Sequence, residues 1–497
     1  MARKKPITHS SARVKIMKAK PGEMATIGTP TWREVVPPHI QEPLHKALTA
    51  MEANDYKTAL YWFGVCAEKE PFSRPVLYFG ATCASAAYFG LRGAGTDAPG
   101  HLIEGWRKCA EDLTIAAYEV APDDAVACHN VGRFIQDCGK DAEACEYYQK
   151  AARLDAGQVE TWANWGTALA QLGDKAKANE YWDRAIHLDA RHDSGMMAQA
   201  YIHLRRGNWT EGWRLFEARW RDIEFVRGYG RKDLGAQIWH GEPLKAGESV
   251  LFHGEQGLGD HVQFARFVRE AKDRGIPVFG METRATLRRW MANAMPDIDI
   301  FVRDSDKPKG YTHHASFMSL PYLLGTTVET IPPPIAPHIA LPKVIEGTKR
   351  KIGLAWHGAA GNPSDIYRSV PHDKLIRLAP VKDVTWVNLQ WDPNADLRLR
   401  AWLGNDCING LEGCNDVYDT AQVVAGLDMV ICVDTLTAHM AGSLGVPTLM
   451  LQRYNHEWRW LSGTGKTEWY PSVEQIQQSA PMVWDDVLDA VVARLNG

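Results

Sequence analysis

The chain has 497 residues, 45% of them hydrophobic and 23% charged, with a formal net charge of −4. That length exceeds one ordinary core and predicts two or three domains with the balance of a soluble globular protein. The near-neutral charge gives no argument for nucleic acid or another polyanion as partner, and no apolar run is long enough for a membrane-spanning helix.

The first 20 residues carry seven basic side chains (Arg3, Lys4, Lys5, Arg13, Lys15, Lys18 and Lys20) and no acid. No apolar segment follows as a secretory signal requires, so residues 1–38 read as a flexible basic tail. Nine scattered cysteines without a CxxC pair fit reduced thiols in a cytoplasm better than a disulfide framework or a zinc site. No metal site is expected.

Residues 39–223 read as helical repeats. Gly132, Gly139, Ala144, Tyr148 and Ala151 recur 34 residues later as Gly166, Gly173, Ala178, Trp182 and Ala185. A weaker third copy holds Gly207, Trp209, Gly212 and Phe216. An earlier unit shows Asp55-Tyr56, Ala59, Phe63 and Pro71, and Leu77 to Pro122 forms another, stretched by a Gly-rich insertion over 90–100. A small residue lets two antiparallel helices approach, and an aromatic fills the gap between neighbouring units. The pattern resembles the tetratricopeptide repeat. Trp162 and Trp165 share a helix face, as core residues or as a ligand platform.

A Gly-rich linker over 224–246 separates the repeats from a lobe over 247–335. Val250-Leu-Phe-His253 reads as a buried strand. It runs into Gly254-Glu-Gln-Gly257-Leu-Gly259-Asp260 and then a helix from His261. Such a loop either makes a tight turn or brings backbone N–H groups to a phosphate. Asp260 is either an N-terminal helix cap or a general base at a cleft. Three consecutive prolines in Ile331-Pro-Pro-Pro-Ile-Ala-Pro-His338 mark a joint.

A second lobe over 348–497 opens with the strand signal Lys351–Gly358 and carries further strand candidates at Val384–Gln390, Met429–Val433 and Pro447–Leu451, alternating with helical segments. That alternation predicts parallel sheets binding ligands beyond the strands' carboxyl ends. Asp434-Thr435 sits at such an end, Thr435 is placed to cap the next helix, and His439 follows one turn on.

Gly254-Glu-Gln-Gly-Leu-Gly-Asp-His-Val-Gln-Phe-Ala-Arg-Phe267 and Asp434-Thr-Leu-Thr-Ala-His-Met-Ala-Gly-Ser-Leu-Gly-Val-Pro447 resemble bacterial tetratricopeptide-repeat glycosyltransferases. That group is related to heptosyltransferases and O-linked N-acetylglucosamine transferases. Ser319-Leu-Pro321, Ile352–Gly358, Arg368-Ser369, Asp419-Thr420, Trp458-Arg-Trp460 and Trp469-Tyr-Pro471 extend the resemblance over roughly residues 45–497. It implies a GT-B fold, two Rossmann-like lobes behind a tetratricopeptide-like α-solenoid. It also implies a metal-independent, inverting sugar transfer from a UDP-, GDP- or ADP-sugar, with no further cofactor, to a protein or glycan acceptor recruited by the concave face of the repeats. Asp260 matches the family's base. Gly257, Gly259, Trp356, Arg368, Gln390, Asp434, Thr435, His439 and Arg459 are the donor-side candidates. The chain departs from the pattern at 462–468, where either Lys466 replaces a missing cation or the diphosphate clamp is weaker. Two other readings stay open: a catalytically silent scaffold, and an epimerase-like enzyme on the same fold.

Overall fold

The computed structural model describes residues 25–29 and 32–497, apart from 54, 72, 94–99, 191–192, 222–233, 304, 340–341, 343–344, 359–361, 363, 393, 405 and 462. The basic cluster of residues 3–20 lies outside the described residues. The segment expected to be tail up to residue 38 contains a hairpin: β1 (Ala25–Thr29) pairs antiparallel with β2 (Trp32–Val36). Thr26, Ile27, Val35 and Val36 supply the β-branched content that favours strands.

Helix pairs follow: α1 (Pro38–Glu52) with α2 (Tyr56–Lys69), α3 (Arg74–Gly93) with α4 (Gly100–Val120), α5 (Ala125–Asp137) with α6 (Asp141–Leu154), and α7 (Val159–Gln171) with α8 (Lys175–His187). Asp55, Asp124 and Asp174 each cap a helix by accepting a backbone N–H three residues on. Gly139, Gly173 and Gly207 all have φ between +76° and +93°, a left-handed turn that glycine adopts freely. A Cβ on Gly132 would lie 2.9 Å from the Tyr148 ring, and one on Gly166 would lie 2.6 Å from Trp182. These contacts are the physical content of the 34-residue period, and the region is a tetratricopeptide-like helical array. Trp162 and Trp165 are buried and stacked at 5.6 Å, with the Arg184 guanidinium 3.9 Å over Trp162, so they belong to the core.

Two compact units divide the chain: residues 1–199, 218–228 and 359–366, and residues 200–217, 229–358 and 367–497. The repeat array expected to run to 223 therefore splits. The end of α9 (Asp193–Arg205) and α10 (Trp209–Phe216) group with the α/β part. There Trp209 stacks on Trp469 at 5.4 Å, and Trp213 meets Trp458 edge-on at 5.3 Å.

The second unit holds two sheets. The smaller has the order β3 (Gln237–Ile238), β7 (His313–Ser316), β4 (Val250–His253), β5 (Val278–Thr283), β6 (Ile300–Val302), all parallel. β3 lies inside the span expected to be linker, and Trp239 beside it is buried against Phe252. A two-residue edge strand is too short to leave a periodic signal. The larger sheet runs β10 (Cys407–Asn409), β9 (Val384–Asn388), β8 (Arg350–Ala355), β11 (Met429–Val433), β12 (Thr448–Gln452), β14 (Tyr470–Gln477), β13 (Gly465–Thr467). All but the β13–β14 pair are parallel. Numbered from β8, its six parallel strands follow the 3-2-1-4-5-6 order of nucleotide-binding α/β sheets. The connecting helices are α11 (Leu258–Asp273), α12 (Arg288–Ala294), α13 (Leu320–Leu323), α14 (Asp365–Arg368), α15 (Ala395–Leu403), α16 (Val417–Ala425), α17 (Leu436–Ser443) and α18 (Asp485–Asn496). β4, β12 and most of β8 and β11 are buried, which explains their continuous apolar runs.

Candidate functional site

Strand order reverses in the larger sheet between β8 and β11, and in the smaller between β4 and β7. Crevices for ligands form at the carboxyl ends of such strands. α11 leaves the carboxyl end of β4 and α17 leaves that of β11. They pack together near their N-termini: a Cβ on Gly259 would lie 2.8 Å from His439 Cδ2 and 3.7 Å from the Leu436 Cα. Glycine at 259 is therefore required for the approach of the two helices. Gly257 is the N-cap of α11, and its N–H donates to Asp260 Oδ2 at 2.9 Å. Asp260 is thus not the N-cap weighed for it: it is the third residue of α11, and its carboxylate reaches back to the N–H of the N-cap Gly257.

The other Asp260 oxygen accepts from Arg459 Nη2. Arg459 also donates through Nη1 to Glu457 at 2.6 Å and through Nε to Gln263 at 3.0 Å. Burial opposes the charge of Arg459, yet Glu457 and Asp260 together hold its pKa above the ordinary value. One arginine thus ties two residues of α11 to the turn following β12. A second tie is exposed: Arg289 of α12 reaches Asp416 at 3.1 Å and Asp419 at 2.7 Å on α16.

His439 is buried, with Nδ1 3.0 Å from the Tyr470 hydroxyl and its ring stacked on Trp460 at 5.4 Å. Burial, with Arg459 close by, pushes its pKa down to about 3, so it is a neutral imidazole wedged between helices. Thr435 occupies the N-cap position of α17, but its hydroxyl turns back to the Val433 carbonyl at 3.3 Å and makes no cap. The side-chain cap expected there is absent, and the first N–H groups of α17 lack that partner.

Trp356 and Gln390 do not present themselves to a ligand as the sequence had them. Trp356 is buried in the core of the larger sheet. Gln390 is buried too, its Oε1 accepting from the backbone N–H groups of Trp356 and His357 at 3.1 and 3.0 Å. Their apolar and hydrogen-bonding capacity goes into bracing the ends of β8 and β9. Arg368 Nη1 donates to the Asp434 carbonyl at 3.2 Å, at the mouth of the β8/β11 crevice.

Lys466 does not replace a missing cation here. It is in register with Glu474, which pairs with Leu449 near the amino end of β12, the wrong edge of the sheet. A further cation at the carboxyl edge, near Arg368, is Arg453, the first residue after β12, which sequence reasoning passed over. Burial lowers its pKa while Asp434 and Glu457 oppose that shift, and Arg368 lies near enough to reinforce it. Arg205 adds a further guanidinium, donating to the His456 carbonyl at 2.7 Å, with burial and Arg453 lowering its pKa to about 10. Only the position of Arg453 directly after an apolar strand run could have signalled it.

No family model matches the chain. Protein FlbA of Caulobacter vibrioides is 23% identical over 427 residues, 78% of this chain and 70% of that protein. This identity does not establish a family. Among solved structures, a thermophilic TPR protein of Thermus thermophilus overlaps 37% of this chain and 92% of its own, at 16% identity and a TM-score of 0.28. PilW, described as a type IV pilus biogenesis factor, overlaps 38% and 80%, at 16% identity and a TM-score of 0.28. Overlaps at these scores carry no argument. The repeat character stands on the helix pairs and their glycine–aromatic contacts, and arrays of this kind are suited to protein interaction. Among the described residues no helix is long and apolar enough to cross a membrane.

Proposed function

We propose that the second unit is a GT-B glycosyltransferase, moving a sugar from a nucleotide-sugar to a protein or glycan acceptor that the helical repeats recruit. The observation carrying this reading is the packing of α11 on α17 through Gly259 and His439, which brings together the carboxyl-end loops of two parallel sheets. Around that contact stand the groups that metal-independent transfer needs. Arg368 and Arg453 flank Asp434 where a leaving diphosphate would gather charge, and the uncapped N-terminus of α17 adds N–H donors. Asp260 stands at the start of α11 as the carboxylate to take the acceptor's proton, and Arg459 holds it in place. Each Asp260 oxygen has one hydrogen bond, leaving a lone pair for an acceptor hydroxyl.

The test is a thermal-shift screen of the whole protein against UDP-, GDP-, ADP-, CMP- and dTDP-sugars. Stabilisation by one nucleotide class is expected. A folded protein that no nucleotide stabilises would favour the second reading, a silent scaffold whose repeats bind a partner. The engagement of Asp260 by Arg459 favours that alternative, since a carboxylate already ion-paired is fully accounted for as structure.

A further inference from the structure

We infer that Trp391 is the stacking platform for the base of the nucleotide, an inference resting on the reading of the larger sheet as the donor site. Trp391 follows β9, the second strand in the 3-2-1-4-5-6 order. Its side chain is 62% exposed, and among the tryptophans whose side chains the structure describes it alone stands out into solvent. A single exposed aromatic is ordinary on a protein surface. This one differs in where it stands and in how its loop is held.

Neighbouring strands lie about 4.8 Å apart, and β9 is two strands from β11 with β8 between them. The end of β9 therefore lies roughly 10 Å to the side of Asp434, in the direction a nucleoside extends when its phosphates sit at the strand-order reversal. The backbone on both sides of Trp391 is stitched down. Gln390 N donates to Asn388 Oδ1 at 2.8 Å, Asp392 N to the Gln390 carbonyl at 2.9 Å, and Asn394 N to Asp392 Oδ1 at 2.9 Å. Arg398 grips Asp392 Oδ2 at 2.5 Å. Gln390 meanwhile fixes the end of β8. The indole is thus raised on a braced loop, and ordering that loop costs a ligand little.

An exposed π-face takes any base, so Trp391 supplies affinity more than choice. Choice falls to the polar edge beside it, where His357 lies 3.6 Å from the Asp392 carboxylate.

Calorimetric titration of the full chain with UDP, GDP and ADP tests this. Trp391→Ala is expected to raise the Kd of the preferred nucleotide by about tenfold or more. Trp391→Phe should restore most of the affinity, and neither variant should move the unliganded melting temperature. Inorganic diphosphate, which has no base, should bind wild type and Trp391→Ala equally. An unchanged nucleotide Kd in Trp391→Ala overturns the platform and leaves the donor-site reading intact. An equal loss for diphosphate also overturns it, because the effect would then lie at the phosphates. No binding of any nucleotide to wild type overturns both.

Discussion

Arg459 donates to the Asp260 carboxylate while Glu457 holds the other arm of the same guanidinium. Both ends of the Asp260 pair are largely buried, at 17% and 11% side-chain exposure. Truncating one partner of a buried ion pair leaves the other uncompensated. Arg459→Met is therefore expected to destabilise the second unit by about 3–5 kcal/mol in urea denaturation. Asp260→Asn should cost less, about 1–3 kcal/mol, because its amide oxygen still accepts from Gly257. A double-mutant cycle that finds the two sites additive would mean they do not interact.

Glycine 259 is a packing requirement. Gly259→Ala places a methyl 2.8 Å from His439 Cδ2, against a ring fixed by Trp460 and Tyr470. A loss of about 1–3 kcal/mol is expected from overpacking, and melting of the variant measures it. A variant as stable as wild type would show that α11 and α17 separate without cost.

Acid sensitivity follows from the buried imidazoles. Burial, chiefly, holds His129, His261 and His439 at pKa values of about 3. Each folded value lies below its unfolded one, so their stabilisation is complete above about pH 6.5 and is lost as pH falls toward 3. Each group removes about 1.4 kcal/mol per pH unit in that window. The second unit holds two of them and the first unit one, so the second should lose stability faster between pH 6.5 and pH 5. His439→Gln should recover up to about 2 kcal/mol of the loss between pH 7 and pH 5, read by denaturation at both values. Equal slopes for variant and wild type would contradict a neutral His439.

The repeat contacts were legible because they are periodic. The Gly166–Trp182 approach repeats the Gly132–Tyr148 one at the same spacing, so pattern alone places it. Trp182→Ala should cost about 3–5 kcal/mol, confined to the first unit. Loss of the second unit's melting transition as well would contradict two separate units.

Strand runs buried on both faces were legible for a related reason, and β11 falls on the residues its apolar run marks. The two-residue β3 has no such run. At the site, the strand end located Asp434, the glycine loop and helix start located Asp260, and the family resemblance pointed to Arg459, but hydrogen-bond allocation was invisible. Thr435 is the residue type that caps helices, yet its hydroxyl satisfies Val433 instead. Gln390 and Trp356 stand at strand ends like ligand contacts, and both are spent on bracing the sheet. Arg453 gave only the weak signal of its place after a strand, where a lone arginine is common; its meaning comes from Asp434, which directly follows the neighbouring strand β11.

Sugar transfer itself is the claim to test most directly. Wild type and Asp260→Asn would be given the stabilising nucleotide-sugar, isotopically labelled in the sugar, with a cell extract as the source of acceptor. Label should enter macromolecules with wild type, with release of the nucleoside diphosphate, and fall by at least about a hundredfold with Asp260→Asn while the nucleotide still binds. Bound nucleotide with no label transferred and no diphosphate released by wild type would contradict the account and leave a nucleotide-binding repeat protein in its place.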